Sequence, residues 1–291
     1  MKRAHLIVNP AAGGGRAARR ADGAAEALRG VGYEVVVAYT GGPGDATRLA
    51  AEADTDVVVA AGGDGTLHEV VNGLVRPNAP ALAVWPVGTG NSFGRDYGLH
   101  TLEGALGALT RRAPKRIDLL RLEADEGNRY SLNLVGLGFA ADAGATTNRS
   151  FKALGALGYI AAVAVEVARL HTFSLKIRVD GGNWSESTPL MWSACNSRYT
   201  GGTMKMAPNA DAADGEMDLI ALAPMGRLSF LMAFPKIFSG THLNLPTVAT
   251  SRARRVEFGF DGPVPTMIDG EALPLTLRAI EVVPLAVAVL T

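Results

Sequence analysis

Two short acidic segments carry the most chemistry in this chain. "GGDGT", residues 62–66, sets Asp64 inside a glycine turn, and "IDGEA", residues 268–272, sets Asp269 and Glu271 two apart. A glycine turn ahead of a helix suits phosphate, because the backbone approaches the ligand closely and the first helical N–H groups face it. A bare carboxylate would repel phosphate there. With Mg2+ between the two, the acid instead helps hold the ion that neutralises the phosphate charge. Asp269 and Glu271 admit two readings. In an extended segment both carboxylates share one face, as a general base or metal ligand requires. In a hairpin turn they are solvated acids.

Two further glycine-rich segments accompany the first: "NPAAGGGRA", residues 9–17, and "GTGN", residues 88–91. Each follows an apolar run that reads as a strand, and ligands of doubly wound sheets bind at the carboxyl ends of the strands. Neither a P-loop nor a dinucleotide fingerprint is present. "GNSFG", residues 90–94, matches the G-x-S-x-G of serine hydrolases, with Asp118, His171 and His242 following in order. That reading leaves "GGDGT" without a role and ranks second. "APNADAADGEMDL" gathers Asp211, Asp214, Glu216 and Asp218, a spacing that fits both a solvated turn and a Mg2+ site.

Strands and helices must alternate to position these groups. "AHLIV", "YEVVVAY", "DVVVAA", "ALAVWPV" and "KRIDLLRLE" read as strands. "RAARRADGAAEALRG", "GDATRLAAEA", "TLHEVVNGL" and "TLEGALGALTRR" read as helices, with Thr66 as an expected N-cap. The alternation predicts an α/β domain over residues 1–124, a doubly wound parallel sheet. Strand-like runs dominate residues 125–283, interrupted by helical stretches near 151–170 and 226–239. They predict a β-sandwich-like second domain with helical insertions. The last residues, 284–291, read as a strand returning to the first domain.

Composition narrows the function classes. The 291 residues are 48% hydrophobic, which supports a large core, and 28 basic residues balance 28 acidic ones. A net charge of zero provides no global field for nucleic acid, so no nucleic-acid partner is expected. A single cysteine, Cys195, cannot form an intrachain disulfide and reads as an inert core thiol. No apolar run is long enough to span a bilayer. The expected location is the cytoplasm, with peripheral contact at a membrane left open.

In combination and in order, "NPAAGGGRA", "GGDGTLHEVVNGL", "PVGTGNSFGRDYGL", "IDLLRL", "GLGFAADA", "GGTMKMAPNADAADGEMDL", "GTHLNLPTV" and "IDGEALP" resemble the diacylglycerol kinase catalytic-domain superfamily. These are the soluble bacterial lipid kinases, with sphingosine and ceramide kinases as relatives. The resemblance implies ATP- and Mg2+-dependent transfer of a γ-phosphate to a hydroxyl of a lipid, diacylglycerol-like or sphingoid, taken from a membrane surface. It implies an ATP-binding first domain and a lipid-substrate second domain. Nucleotide contacts carry over to Asn9, Gly63, Gly65, Thr66, Gly88, Thr89 and Asn91. Asp64 becomes an indirect Mg2+ partner, Glu271 the general base with Asp269 as its neighbour, and Asp214 a ligand of a separate structural Mg2+. Asp118 and Lys152 fall near positions that matter in relatives. Contacts with the lipid chain are expected along Phe151–Ala168 and Leu228–Phe238. Relatives often carry an acid where this chain has Ser92, a lysine in the first glycine loop where Arg16 is the nearest cation, and asparagine at the position of His68. The alternatives are an NAD-kinase-like nucleotide kinase, a serine hydrolase using Ser92, and a nucleotide- or lipid-binding module without turnover.

Overall fold

The computed structural model describes residues 1–88, 90–147, 163 and 165–291. The chain divides into two compact units, Met1–Ile117 with Leu285–Thr291, and Asp118–Pro284.

The first unit is built from β1 (Lys2–Val8), α1 (Ala12–Gly30), β2 (Tyr33–Tyr39), α2 (Asp45–Glu52), β3 (Val57–Gly62), α3 (Asp64–Leu74), β4 (Ala81–Pro86), α4 (Ser92–Asp96) and α5 (Leu102–Arg111). The strands are parallel in the order β2–β1–β3–β4. Every residue of β3 is buried, as expected of a central strand with both faces covered. The helix α1 buries Ala17, Ala21, Ala24, Ala25 and Leu28, a helical stripe of small side chains. Thr101 caps α5, its hydroxyl oxygen accepting the Gly104 N–H at 3.1 Å. Thr66 does not cap α3. That helix begins at Asp64, and Thr66 sits inside its first turn, 5% exposed. The end of the last strand joins this sheet, where Val289 pairs in parallel with Leu82.

The second unit begins within β5 (Pro114–Ala124). It continues through β6 (Arg129–Ser131), β7 (Leu134–Gly138), α6 (Phe139–Thr146), β8 (Leu175–Val179), β9 (Trp184–Ser187), β10 (Met191–Cys195), β11 (Tyr199–Thr200), β12 (Met204–Lys205) and β13 (Met217–Leu222). Then follow α7 (Arg227–Ala233), α8 (Lys236–Ser239), β14 (Val248–Ala253), β15 (Arg255–Phe258), β16 (Val264–Ile268), β17 (Glu271–Leu275) and β18 (Leu277–Leu290). An antiparallel sheet runs β14–β13–β10–β7–β16–β17. A second sheet places β15 between β18 and β8, with β9 beyond β8.

Alternation along the strands explains the sandwich. On β13, Met217 and Leu219 enter a core shared with the second sheet, through Val256, Phe258 and Ile280. Ile220 and Leu222 point to the other face, where Phe139 of α6, Phe230 of α7 and Ile237 of α8 cover them. With both faces buried, these strands read as nearly unbroken apolar runs. Strands at 248–253 and 264–268 were not expected from the sequence. Residues 130–139, "YSLNLVGLGF", read as one strand-like run but are divided into β6 and β7, because the N–H groups of residues 132–134 bond to a side chain rather than to a strand.

Candidate active site

The carboxyl ends of β1, β3 and β4 bring three glycine loops into backbone contact. A methyl group on Gly88 would lie 2.4 Å from the Cα of Gly63, so Gly88 has no space for a side chain. Gly13, Gly14 and Gly15 all adopt positive φ, forming a left-handed turn before α1 becomes regular. Arg16 covers that turn, its Nε donating to the Gly13 carbonyl at 2.8 Å. The third loop is tied to the second through the Gly88 N–H, which donates to the Gly62 carbonyl at 3.1 Å.

Side chains fix the same edge. Asn9 Nδ2 donates to Thr66 Oγ1 at 3.0 Å, and Asn9 Oδ1 accepts the Ala11 N–H at 3.1 Å. Asn91 holds a left-handed backbone, with φ 49°, while its Nδ2 donates to the Gly88 carbonyl at 3.0 Å. The first ladder bond of α3 runs from the Leu67 N–H to the Gly63 carbonyl. The amides of Asp64, Gly65 and Thr66 therefore precede that ladder, at the positive end of the helix. Asn9, Gly63, Asp64, Gly65, Thr66, Gly88 and Asn91 are thus gathered at one sheet edge. Thr89 and Lys152 lie outside the described residues.

Asp64 has a partner that sequence reasoning missed. Its Oδ1 accepts the Ser92 N–H at 2.7 Å, and its Oδ2 accepts the Ser92 hydroxyl at 3.2 Å. The carboxylate therefore clamps the start of α4 to the start of α3. Ser92 is 3% exposed and engaged with Asp64, Asp118 accepts the Gly215 N–H, and His242 bonds the Met206 carbonyl. His171 lies near the Arg169 carbonyl and the Asp142 carboxylate, so the residues of the hydrolase reading each serve a different partner.

In the second unit, Asp269 and Glu271 do not share the face of an extended strand. Ile268 pairs with Glu271, and Asp269 and Gly270 form the turn between them, with φ 51° and 96°. Two consecutive positive φ values at a two-residue hairpin loop mark a type I′ turn, for which Asp-Gly is a preferred sequence. Asp269 is 6% exposed. Its carboxylate accepts the Ser131 hydroxyl at 2.7 Å and the N–H groups of Leu132, Asn133 and Leu134 at 2.9, 2.8 and 3.2 Å. Asp269 anchors the turn, whereas Glu271 is exposed at the start of β17.

The acidic turn before β13 is a built structure. Asp118, fully buried, receives the Gly215 N–H at 2.8 Å and donates its own N–H to the Ala212 carbonyl at 2.7 Å. Asp214 accepts the Glu216 N–H at 3.0 Å and pairs with Arg252, which also reaches Glu216 at 3.0 Å. Burial above all, then the neighbouring Asp214 and Glu216 carboxylates, pushes the Asp218 pKa up, against the pull of Arg252. The cluster offers only oxygen donors and an excess of negative charge, which suits a hard cation such as Mg2+. No group of three or more metal-binding side chains occurs among the described residues, so backbone carbonyls or water must complete such a site.

Comparison with known proteins agrees with this architecture. A model of the diacylglycerol kinase catalytic domain matches residues 3–122, and one of the YegS C-terminal NAD kinase beta sandwich-like domain matches residues 133–291. A diacylglycerol kinase of Mycobacterium tuberculosis (strain ATCC 25618 / H37Rv) is 32% identical, over 98% of this chain and 93% of its own length. One of Staphylococcus aureus (strain MRSA252) is 31% identical, over 93% of this chain and 86% of its own. A solved diacylglycerol kinase structure from Bacillus anthracis str. Sterne, 24% identical, shares the fold with a TM-score of 0.75, across 99% of this chain and 96% of that one. The glycine-loop edge, the β-sandwich behind the Asp-Gly turn and these matches together show that the chain belongs to the diacylglycerol kinase family of lipid kinases.

Proposed function

We propose that the protein transfers the γ-phosphate of ATP, as its Mg2+ complex, to a free hydroxyl of a diacylglycerol-like or sphingoid lipid held at a membrane surface. The observation that carries the lipid half of this reading is an apolar cavity of about 60 Å3 in the second unit. Phe139, Met191, Ile220, Phe230 and Phe234 are among its walls. The helices α7 and α8 are apolar on both faces. Phe230, Ala233, Phe234 and Ile237 line the cavity, while Leu228 is 70% and Met232 64% exposed, with Leu231 and Phe238 also bare. A surface helix is normally polar on its outer face. A pair that meets a lipid chain inside and a bilayer outside has a reason to be apolar on both, and exposed Arg227 and Lys236 suit anionic headgroups. Among the described residues no helix is long and apolar enough to cross a membrane. Of the other expected lipid-contact stretch, 151–168, only 163 and 165–168 are described.

The catalytic roles follow from phosphoryl transfer, which asks mainly for positioning and charge neutralisation. Asn9, Gly63, Gly65, Thr66, Gly88 and Asn91 hold the nucleotide phosphates with backbone and amide donors, and Thr89 is proposed to join them. Bound Mg2+ supplies neutralisation of phosphate charge, with Asp64 as its partner through water and Asp214 holding a separate, structural ion. Glu271 accepts the proton of the lipid hydroxyl as it attacks, and Asp269 acts by fixing the turn that presents Glu271.

The test is transfer from labelled ATP to diacylglycerol in vesicles with Mg2+. Wild-type protein is expected to label the lipid extract, and Glu271→Ala to lower turnover by roughly 10²–10⁴, the usual worth of a general base, with an unchanged circular dichroism spectrum. Undiminished turnover in Glu271→Ala removes the base assignment. Vesicle sedimentation checks the membrane face: Leu228→Glu with Met232→Glu should leave the protein in the supernatant, and binding equal to wild type counts against that face.

A further inference from the structure

A second cavity of the second unit, of about 220 Å3, has a carboxylate in its wall. Asp142 of α6, His171, Phe173, Ser174, Val264 and Pro265 are among its lining residues, and it has room for a small organic molecule. Among the described residues no donor hydrogen-bonds to the Asp142 carboxylate. Its ion-pairing neighbour is His171, whose Nε2 stands 3.8 Å from Oδ2, beyond hydrogen-bond reach. The Asp142 side chain is 25% exposed and that of His171 59%, so both are open to a group entering the cavity they line. Burial above all, with the Glu166 carboxylate, pushes the Asp142 pKa up, while His171 pulls it down. The neutral His171 ring brings no donor to Asp142. Its Nδ1 faces the Arg169 carbonyl at 3.3 Å, and a carbonyl can only accept, so Nδ1 carries the proton. Nε2 then turns a lone pair toward the carboxylate, acceptor against acceptor. The aromatic wall is fixed in place. The Phe173 N–H donates to the Pro189 carbonyl at 3.2 Å, and its ring lies against Gly138, where a methyl group would meet it at 2.5 Å.

We propose that this cavity binds a primary ammonium group, which donates one N–H to the Asp142 carboxylate and another to His171 Nε2 beside the Phe173 ring. A positive charge compensates a partly desolvated carboxylate, and N–H donors satisfy the two facing acceptors. An aromatic wall is favourable to a cation. A neutral alcohol brings one donor and no charge, and a quaternary ammonium brings charge and no donor. The cavity is separate from the proposed site of phosphoryl transfer. Val264 and Pro265 lie at the end of β16 opposite the Asp269–Gly270 turn, and about 10 Å of strand separates Pro265 from Ile268, the partner of Glu271. With Glu271 as the base, the amine of a sphingoid acceptor, on the carbon next to the reacting one, is too close to the reacting oxygen to bridge that span. The ammonium therefore belongs to a second molecule, a free small amine or the ethanolamine headgroup of a neighbouring lipid.

The experiment uses matched probes on the full chain. Ethanolamine and choline differ only in the methyl groups that replace the N–H donors. In calorimetric titration wild-type protein should bind ethanolamine more tightly than choline by about tenfold or more, and Asp142→Asn should lose that preference. In vesicle sedimentation, phosphatidylethanolamine added to phosphatidylcholine should increase the binding of wild type and not of Asp142→Asn. A response in the first arm assigns a free amine, a response in the second alone assigns a lipid headgroup, and either supports the proposal. No preference in both arms, or a preference that survives Asp142→Asn, overturns it. A second readout needs no variant. In wild-type protein, the ring 15N resonance of His171 Nε2 should move on adding the ethanolamine probe of the responding arm and stay fixed on adding its choline counterpart. Movement with both, or with neither, contradicts the proposal. No step of the test uses phosphoryl transfer, so its failure leaves the lipid-kinase reading standing, and the failure of that reading leaves the test intact.

Discussion

Replacing Asp269 should separate stability from chemistry at the Asp-Gly turn. The carboxylate is 6% exposed and accepts one hydroxyl and three backbone N–H groups, at 2.7 to 3.2 Å. A hydrogen bond to a charged group contributes about 1.5–3 kcal/mol, and a buried donor left without a partner costs about 1–3 kcal/mol. In Asp269→Asn the amide oxygen can still serve Ser131, Asn133 and Leu134, but the amide nitrogen confronts the Leu132 N–H, donor against donor. The expected loss is about 2–3 kcal/mol: one charge-assisted bond gone and three weakened. Asp269→Ala strands all four donors, and the expected loss of about 5 kcal/mol or more approaches the whole stability of an ordinary domain. Urea unfolding reads this directly, through the fluorescence change as Trp192, 2% exposed in the sandwich core, meets water. The control is Glu271→Gln. Glu271 is exposed at the start of β17, so its unfolding midpoint should stay within about 0.5 kcal/mol of wild type while turnover collapses. An Asp269→Asn protein that unfolds with wild type, or a Glu271→Gln protein that loses stability instead of turnover, would refute the assignment of anchor and base.

Other perturbations have equally definite outcomes. Asp64→Asn should abolish Mg2+-dependent turnover, and a normal Mg2+ titration of that variant would show Asp64 misread. Gly88→Ala places a methyl 2.4 Å from the Gly63 Cα, so equilibrium nucleotide binding should weaken at least tenfold (about 1.4 kcal/mol), and an unchanged dissociation constant contradicts the packed loops. Cys195 is fully buried and burial raises its thiol pKa, so a thiol reagent at pH 8 should label the native protein negligibly and label it once on unfolding. Hydrogen bonding from Arg255 first, and then its charge and that of Arg121, holds Glu123 below the usual 4.5 despite partial burial. A depressed folded pKa stabilises fully above the unfolded value and loses its effect as pH falls through the folded one. The stability advantage of wild type over Arg255→Gln should therefore be complete at neutral pH and shrink below about pH 4.5 in urea melts.

What the sequence revealed and what it hid follow from the range of the interactions. The parallel sheet was legible because β3 is buried on both faces and reads as six apolar or small residues in a row. The three loops were legible because glycine is required where Gly88 backs onto Gly63. Thr66 was misplaced as a cap because the Gly62–Gly63 turn lets α3 start two residues early, at Asp64, which propensity alone does not show. The Asp269 anchor was hidden because its partners lie about 135 to 138 residues away in the chain. The same bonds interrupt the strand run at 132–133, which looked continuous. Ser92, noticed as a departure from relatives and as the nucleophile of the hydrolase alternative, proved to be the partner of Asp64, 28 residues earlier. His242 was read only within the hydrolase alternative and a segment shared with relatives, and its bond to the Met206 carbonyl, 36 residues earlier, was not foreseen.

The most direct measurement is the identity of the phosphorylated product. The protein is incubated with labelled ATP, Mg2+ and a panel of diacylglycerol, sphingoid, ceramide and water-soluble alcohol acceptors, and NAD as a nucleotide acceptor. The products are then separated by chromatography and weighed by mass spectrometry. A phosphate monoester on a lipid hydroxyl, formed only with Mg2+ and lost in Glu271→Ala, is the expected result. Label that appears in NADP, or in no acceptor while ATP is bound tightly, would contradict the account.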